Sequence, residues 1–128
     1  MNIYARIATI TATFAASGIV YSDDPNVSPA SLPGVIIFEQ ESDVETSGQV
    51  IIKQKHHIEI QCLSDLQATN LATAQSAALA LSDNVLACFK SLPVSWEFSK
   101  PRKYAKGFVG GHAVYGVIMP ITIFDTND

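Results

Sequence analysis

Leu71, Ala74, Ala78, Leu81, Val85, Phe89 and Leu92 recur three or four residues apart, which sets all of them on one side of an α-helix. The spacing predicts a helix from Leu66 to Leu92, roughly seven turns at 3.6 residues each. An apolar stripe of that length has to be covered, so the rest of the chain must supply an apolar surface to lie against it. Ser64 with Gln67 forms a capping-box pattern at its start, Thr69 is an alternative start, and Pro93 stops it.

The flanking segments alternate with a period of two, as half-buried strands do. "VIIFEQ" from Val35 and "QVIIKQKHHIEIQCL" over residues 49–63 read as strands, joined by a polar turn or longer hairpin tip, "ESDVETSG", that ends at Gly48. Beyond the helix, "VSWEFS" puts Val94, Trp96 and Phe98 on one face. "AVYGVIMPITIF" does the same with Tyr115, Val117, Met119, Ile121 and Ile123. Pro120 has no N–H to give a ladder and so marks an edge or a bulge.

At the start of the chain Ile3, Ile7, Ile10 and Phe14 mark a first helix with Gly18 as its C-cap. Residues 22–34, "SDDPNVSPASLPG", hold three prolines and form an irregular connection, long enough to reach a neighbouring molecule. The expected fold is therefore α+β: two antiparallel β-hairpins forming one sheet, a long α-helix packed on one face, and an additional N-terminal helix.

The 128 residues are 48% hydrophobic and 16% charged, the balance of a lightly charged globular chain. Thr9, Thr11 and Thr13 interrupt any secretory apolar region, and no apolar run reaches the ~18 residues of a membrane span, so a soluble intracellular protein is expected. A net charge of −4 argues against general nucleic-acid binding. The charge is unevenly placed, however. Asp23, Asp24, Glu39, Glu41, Asp43 and Glu45 make the early part acidic, while Lys100, Arg102, Lys103 and Lys106 are half of the 8 basic residues. That basic cluster, with Tyr104, reads as a solvated hairpin tip or a contact for an acidic protein surface, and less readily as a phosphate contact or channel lining.

The residue types able to do chemistry do not converge. Neighbouring strand residues point to opposite faces, so His56 joins Ile58, Ile60 and Cys62 toward the helix, and His57, Glu59 and Gln61 lie on a wetter face. His57 and Glu59 would need ligands from elsewhere, with His112 the remaining histidine, to hold a metal ion. Cys62 and Cys88 lack the spacing of a zinc or redox pair and read as buried free thiols. No nucleophile-elbow, P-loop or zincin motif is present. The glycines of "KGFVGGHAVYG" belong to a loop in which Gly110 and Gly111 permit positive φ. Trp96 and Phe98 read as core rather than as a stacking platform.

In element order the chain resembles the tail terminator (tail completion) proteins of long-tailed bacteriophages. The pieces that carry the likeness are "IYARIATITATF", "LPGVIIFEQE", "QVIIKQKHHIEIQC", "LATAQSAALALSDNVLACFKSL", "VSWEFS" and "AVYGVIMPITIFD". The resemblance implies that residues 1–128 form a single domain that assembles into a homo-hexameric ring. The ring would cap the tail tube protein and join it to a head–tail connector or stopper, with DNA passing through the channel without sequence-specific binding. It implies a virion protein of the tail or neck, assembled in the host cytoplasm, with no catalysis, no cofactor and no membrane. Acidic residues Asp23, Asp24, Glu41, Asp43 and Glu45 are then expected to meet Lys100, Arg102, Lys103 and Lys106 of the next subunit. The alternatives are another neck or tail-tube component, or a small metal-binding α+β protein using His57, Glu59 and Cys62 or His112.

Overall fold

The computed structural model describes residues 3–92 and 95–126. It has an α+β fold with two helices and one mixed six-stranded sheet, in the order α1 (Ile3–Ala16), β1 (Tyr21–Ser22), β2 (Gly34–Ser47), β3 (Val50–Asp65), α2 (Leu71–Lys90), β4 (Ser95–Phe98), β5 (Lys103–Val109) and β6 (His112–Thr126). Among the described residues, no helix is long and apolar enough to cross a membrane.

Local hydrogen bonds end both helices and begin the second. Gly18, at φ 75°, closes α1: its N–H donates to the Ala15 carbonyl, and the Ile19 N–H donates to that of Phe14. α2 starts later than the apolar spacing predicts. Its N-cap is Asn70, whose Oδ1 accepts the Thr73 N–H at 2.9 Å. Ser64 does not cap the helix, because β3 runs on through Asp65 in register with β6, and the Ser64 hydroxyl donates instead to the Ala74 carbonyl at 2.6 Å. Leu71 is left exposed on the first turn, so the covered stripe begins at Ala74. At the other end the Ser91 N–H reaches the Cys88 carbonyl, and Lys90 lies where the helix dipole favours a cation. The expected stop at Pro93 and the facing of Val94 lie outside the described residues.

β2, β3 and β6 are antiparallel neighbours, and the short β1 adds to β2 in parallel. β4 and β5 share one edge of β6, the edge left free by β3: Ser95–Phe98 pair with 121–124 and Lys103–Val109 with 112–118. Between them Ser99–Arg102 leave the ladder as a bulge. Pro120 lies opposite that interruption and its carbonyl accepts the Ser99 N–H at 3.0 Å, so its missing N–H leaves no ladder bond unmade. Gly110 and Gly111, both at positive φ, make the two-residue turn from β5 to β6.

Alternation then sorts the sheet into two faces. Val35, Ile37, Ile58, Ile60, Cys62, Val117, Met119, Ile121 and Ile123 are buried against Ile7, Ile10 and Phe14 of α1 and Ala74, Ala78, Val85 and Phe89 of α2. Ring pairs run through this core from Phe14 to Phe89 (6.5 Å between centroids), to Trp96 (5.3 Å) and to Phe98 (5.9 Å), linking both helices to the β4 edge. Trp96 packs on the core as expected, whereas Phe98 stays partly exposed at the rim.

The opposite face carries a small second cluster, Ile36, Leu63 and Val114, with Leu32, Phe38 and Val109 against it. Leu32 comes from the proline-rich connection, whose end thus folds back over its own sheet. Gly34 permits that return: a Cβ there would stand 2.6 Å from both Pro29 Cβ and the Ser31 carbonyl oxygen.

Candidate subunit-contact surfaces

The β2–β3 ribbon contains three of the acidic residues singled out from the sequence, and the register supplies each with a basic neighbour in the same chain. A shift between Glu39 and Glu41 sets Glu41 opposite His57, Asp43 opposite Lys55 and Glu45 opposite Lys53. Opposite charges placed so are worth ~0.2–1 kcal/mol a pair.

His57 and His56 do face opposite ways. His57 Nε2 lies 2.8 Å from Asp43 Oδ2 and its Nδ1 lies 3.0 Å from Thr122 Oγ1, which in turn is 2.6 Å from Ser99 Oγ. A neutral imidazole with its proton on Nε2 satisfies the whole row: it donates to Asp43, accepts from Thr122, and Thr122 accepts from Ser99. Nucleophilic catalysis asks for an accessible hydroxyl directly on the imidazole. Here the hydroxyl on His57 belongs to Thr122, which is 4% exposed. The row is a polar seam that ties β2, β3, β6 and the bulge together.

Glu59, which the metal-binding alternative would set beside His57, accepts from Gln61 at 2.7 Å and from Gln40 at 3.3 Å. No group of three His, Cys, Asp or Glu side chains among the described residues could hold a metal ion. His56 is 4% exposed, with Nδ1 3.3 Å from Glu39 Oε1 and Nε2 buried without a hydrogen-bond partner among the described residues. His112 binds Asp65, at 2.8 Å. The Asp65 carboxyl is held below its ordinary range by the Ala68 backbone N–H and then by His112. Cys62 and Cys88 are free and buried, and burial pushes the Cys62 thiol up to about 12, far from the thiolate a nucleophile needs.

The basic cluster is a structured edge and not a hairpin tip. Lys100 and Arg102 stand in the bulge, Lys103 and Lys106 in β5. Arg102 turns inward over α2, donating to Ser82 Oγ at 3.2 Å and lying 3.7 Å from Asp83 Oδ1, so it is occupied within the chain. Lys103 pairs across the ladder with Ile118 on the face away from the helices, and Lys106 with Tyr115 on the helix side. Neither has a carboxylate opposite. Tyr104 and Phe108 share the face of Lys106 and are 51% and 77% exposed. The sequence reading placed Tyr104 with the basic cluster but passed over Phe108, treating the segment as loop. The alternation of Lys103, Ala105, Gly107 and Val109 with Tyr104, Lys106 and Phe108, running into a Gly-Gly turn, was the signal available.

At the far edge of the sheet a recess of about 660 Å³ lies between α1 and the start of β2. Ile7 and Ala8 contribute apolar surface, Phe38 an aromatic ring, and Asp23, Asp24 and Glu39 negative charge. Asp23 and Asp24 are thus on a concave surface, remote along the strand order from the β5 edge. No protein-family model matches the chain, and no curated protein matches it.

Proposed function

We propose that this chain is a structural ring subunit of the tail-terminator kind: a homo-hexamer that closes the tail tube of a long-tailed bacteriophage, joins it to the head–tail connector and leaves a channel for DNA. In this reading two hairpins and a long helix form the body of each subunit, α1 and the proline-rich connection flank one edge, and no reaction is catalysed. The observation that carries it is the unlikeness of the two sheet edges, one basic and aromatic at β5, the other acidic and concave beside α1. Unlike surfaces on one molecule associate head to tail, and a head-to-tail contact that closes gives a ring. The polar seam at His57 and the buried thiol of Cys62 supply no accessible nucleophile, which favours a structural role over a hydrolytic one.

The test is light scattering of the purified protein together with electron microscopy, with and without isolated tail tubes. The proposal expects a mass near six times 13.8 kDa and rings seated on tube ends. Incorporation along the tube length would instead make it a tube subunit, and binding to connectors alone would make it a stopper.

A further inference from the structure

Resting on the ring reading, we infer that the aromatic rim of β5, Tyr104 and Phe108 with Lys106 between them, docks into the acidic recess beside α1 of the next copy. Phe108 is the most exposed large apolar side chain in the described structure, at 77%, and Tyr104 follows it on the same face at 51%. Successive side chains on one face of a strand stand about 7 Å apart, so the three present a continuous aromatic–cationic–aromatic row. An aromatic side chain buries ~150–250 Å² when covered, which makes two of them at an edge a strong driving force for association.

The recess matches that row in size and in kind. Its volume of about 660 Å³ takes a side chain of this size, Ile7, Ala8 and Phe38 offer apolar contact, and Asp23, Asp24 and Glu39 offer counter-charge for Lys106. The two surfaces cannot meet within one molecule: in the strand order they sit at opposite edges, with β3 and β6 between them. The occupant is therefore a second copy of the chain. Since the partners are different surfaces, the contact is heterologous and propagates from copy to copy.

Two variants with one added cysteine each, Phe108→Cys and Ala8→Cys, test the geometry, the native Cys62 and Cys88 being buried. Mixed and oxidised, they are expected to give a disulfide joining one variant to the other, while neither variant alone forms the bond with itself. A second measurement guards against loss of the ring on substitution: Phe108→Ala should weaken self-association roughly 30-fold or more, as central aromatic contacts do, with the helical circular dichroism of the monomer unchanged. Lys106→Glu should weaken it too and be rescued by Asp24→Lys in the partner. A ring that assembles without the mixed cross-link, and tolerates Phe108→Ala, overturns the docking mode and leaves the ring reading standing. A chain that is monomeric at every concentration, and absent from tube ends, overturns both.

Discussion

Along the β2–β3 ribbon Glu41, Asp43 and Glu45 lie across the ladder from His57, Lys55 and Lys53. Along the β5–β6 ribbon Lys103 meets Ile118 and Lys106 meets Tyr115. Charges that look alike as runs of sequence thus have different standing in the fold. The first set has basic side chains in register within its own chain. The second has no carboxylate opposite and is joined by exposed Tyr104 and Phe108. The difference comes from register, because a strand partner decides which charge is answered.

The two ribbons share one foundation, so the largest expected effect strikes both. Phe89 is fully buried between Phe14 and Trp96, and Phe89→Ala should cost about 3–5 kcal/mol in urea unfolding followed by circular dichroism. Hydrogen exchange should show both ribbons losing protection together. A loss confined to β4–β6 would mean that the ribbons are rooted separately.

Reversing charge separates them next. Lys53→Glu with Lys55→Glu sets like charges opposite Glu45 and Asp43 and should cost about 0.2–1 kcal/mol per pair. Lys103→Glu with Lys106→Glu should change monomer stability by less than about 0.5 kcal/mol. Equal losses from the two pairs, measured at a protein concentration too low for assembly, would break the comparison.

The smallest effect concerns the tie between the ribbons, Asp65 to His112. The folded carboxyl is lowered from an ordinary value of 3.8, so the unfolded chain takes up its proton first as pH falls. The stabilisation is complete above that ordinary value and is lost as pH drops through the lower folded one. Asp65→Asn should therefore be less stable than the parent at neutral pH and should approach it in acid. A deficit that stays constant down to low pH would contradict this.

Much of this architecture could be anticipated from periodicity. The stripe from Ala74 to Phe89 marks α2, Gly18 its predecessor's end, and strict alternation separates His56 from His57. Pairing between distant segments left no such trace. The two-residue β1 joins the sheet in parallel because Tyr21 and Ser22 lie beside Val35 and Ile36 once α1 has packed, and two residues carry no period. The bulge at Ser99–Arg102 made one interrupted edge strand read as a strand and a loop, which concealed Phe108 and the face it shares with Tyr104. The seam from Asp43 to Ser99 depends on the register shift beside Glu41 and on β6 lying next to β3, both set by tertiary packing. The acidic recess likewise exists only where α1 stands beside β2.

The most direct test of head-to-tail assembly is the solution mass of a charge-swapped pair at low salt. Lys106→Glu alone and the Asp23→Lys, Asp24→Lys double variant alone should each fall from the ring toward the 13.8 kDa monomer, and mixing the two should restore multi-subunit mass in assemblies with the swapped contact. Unchanged ring mass in both separate variants would contradict the account.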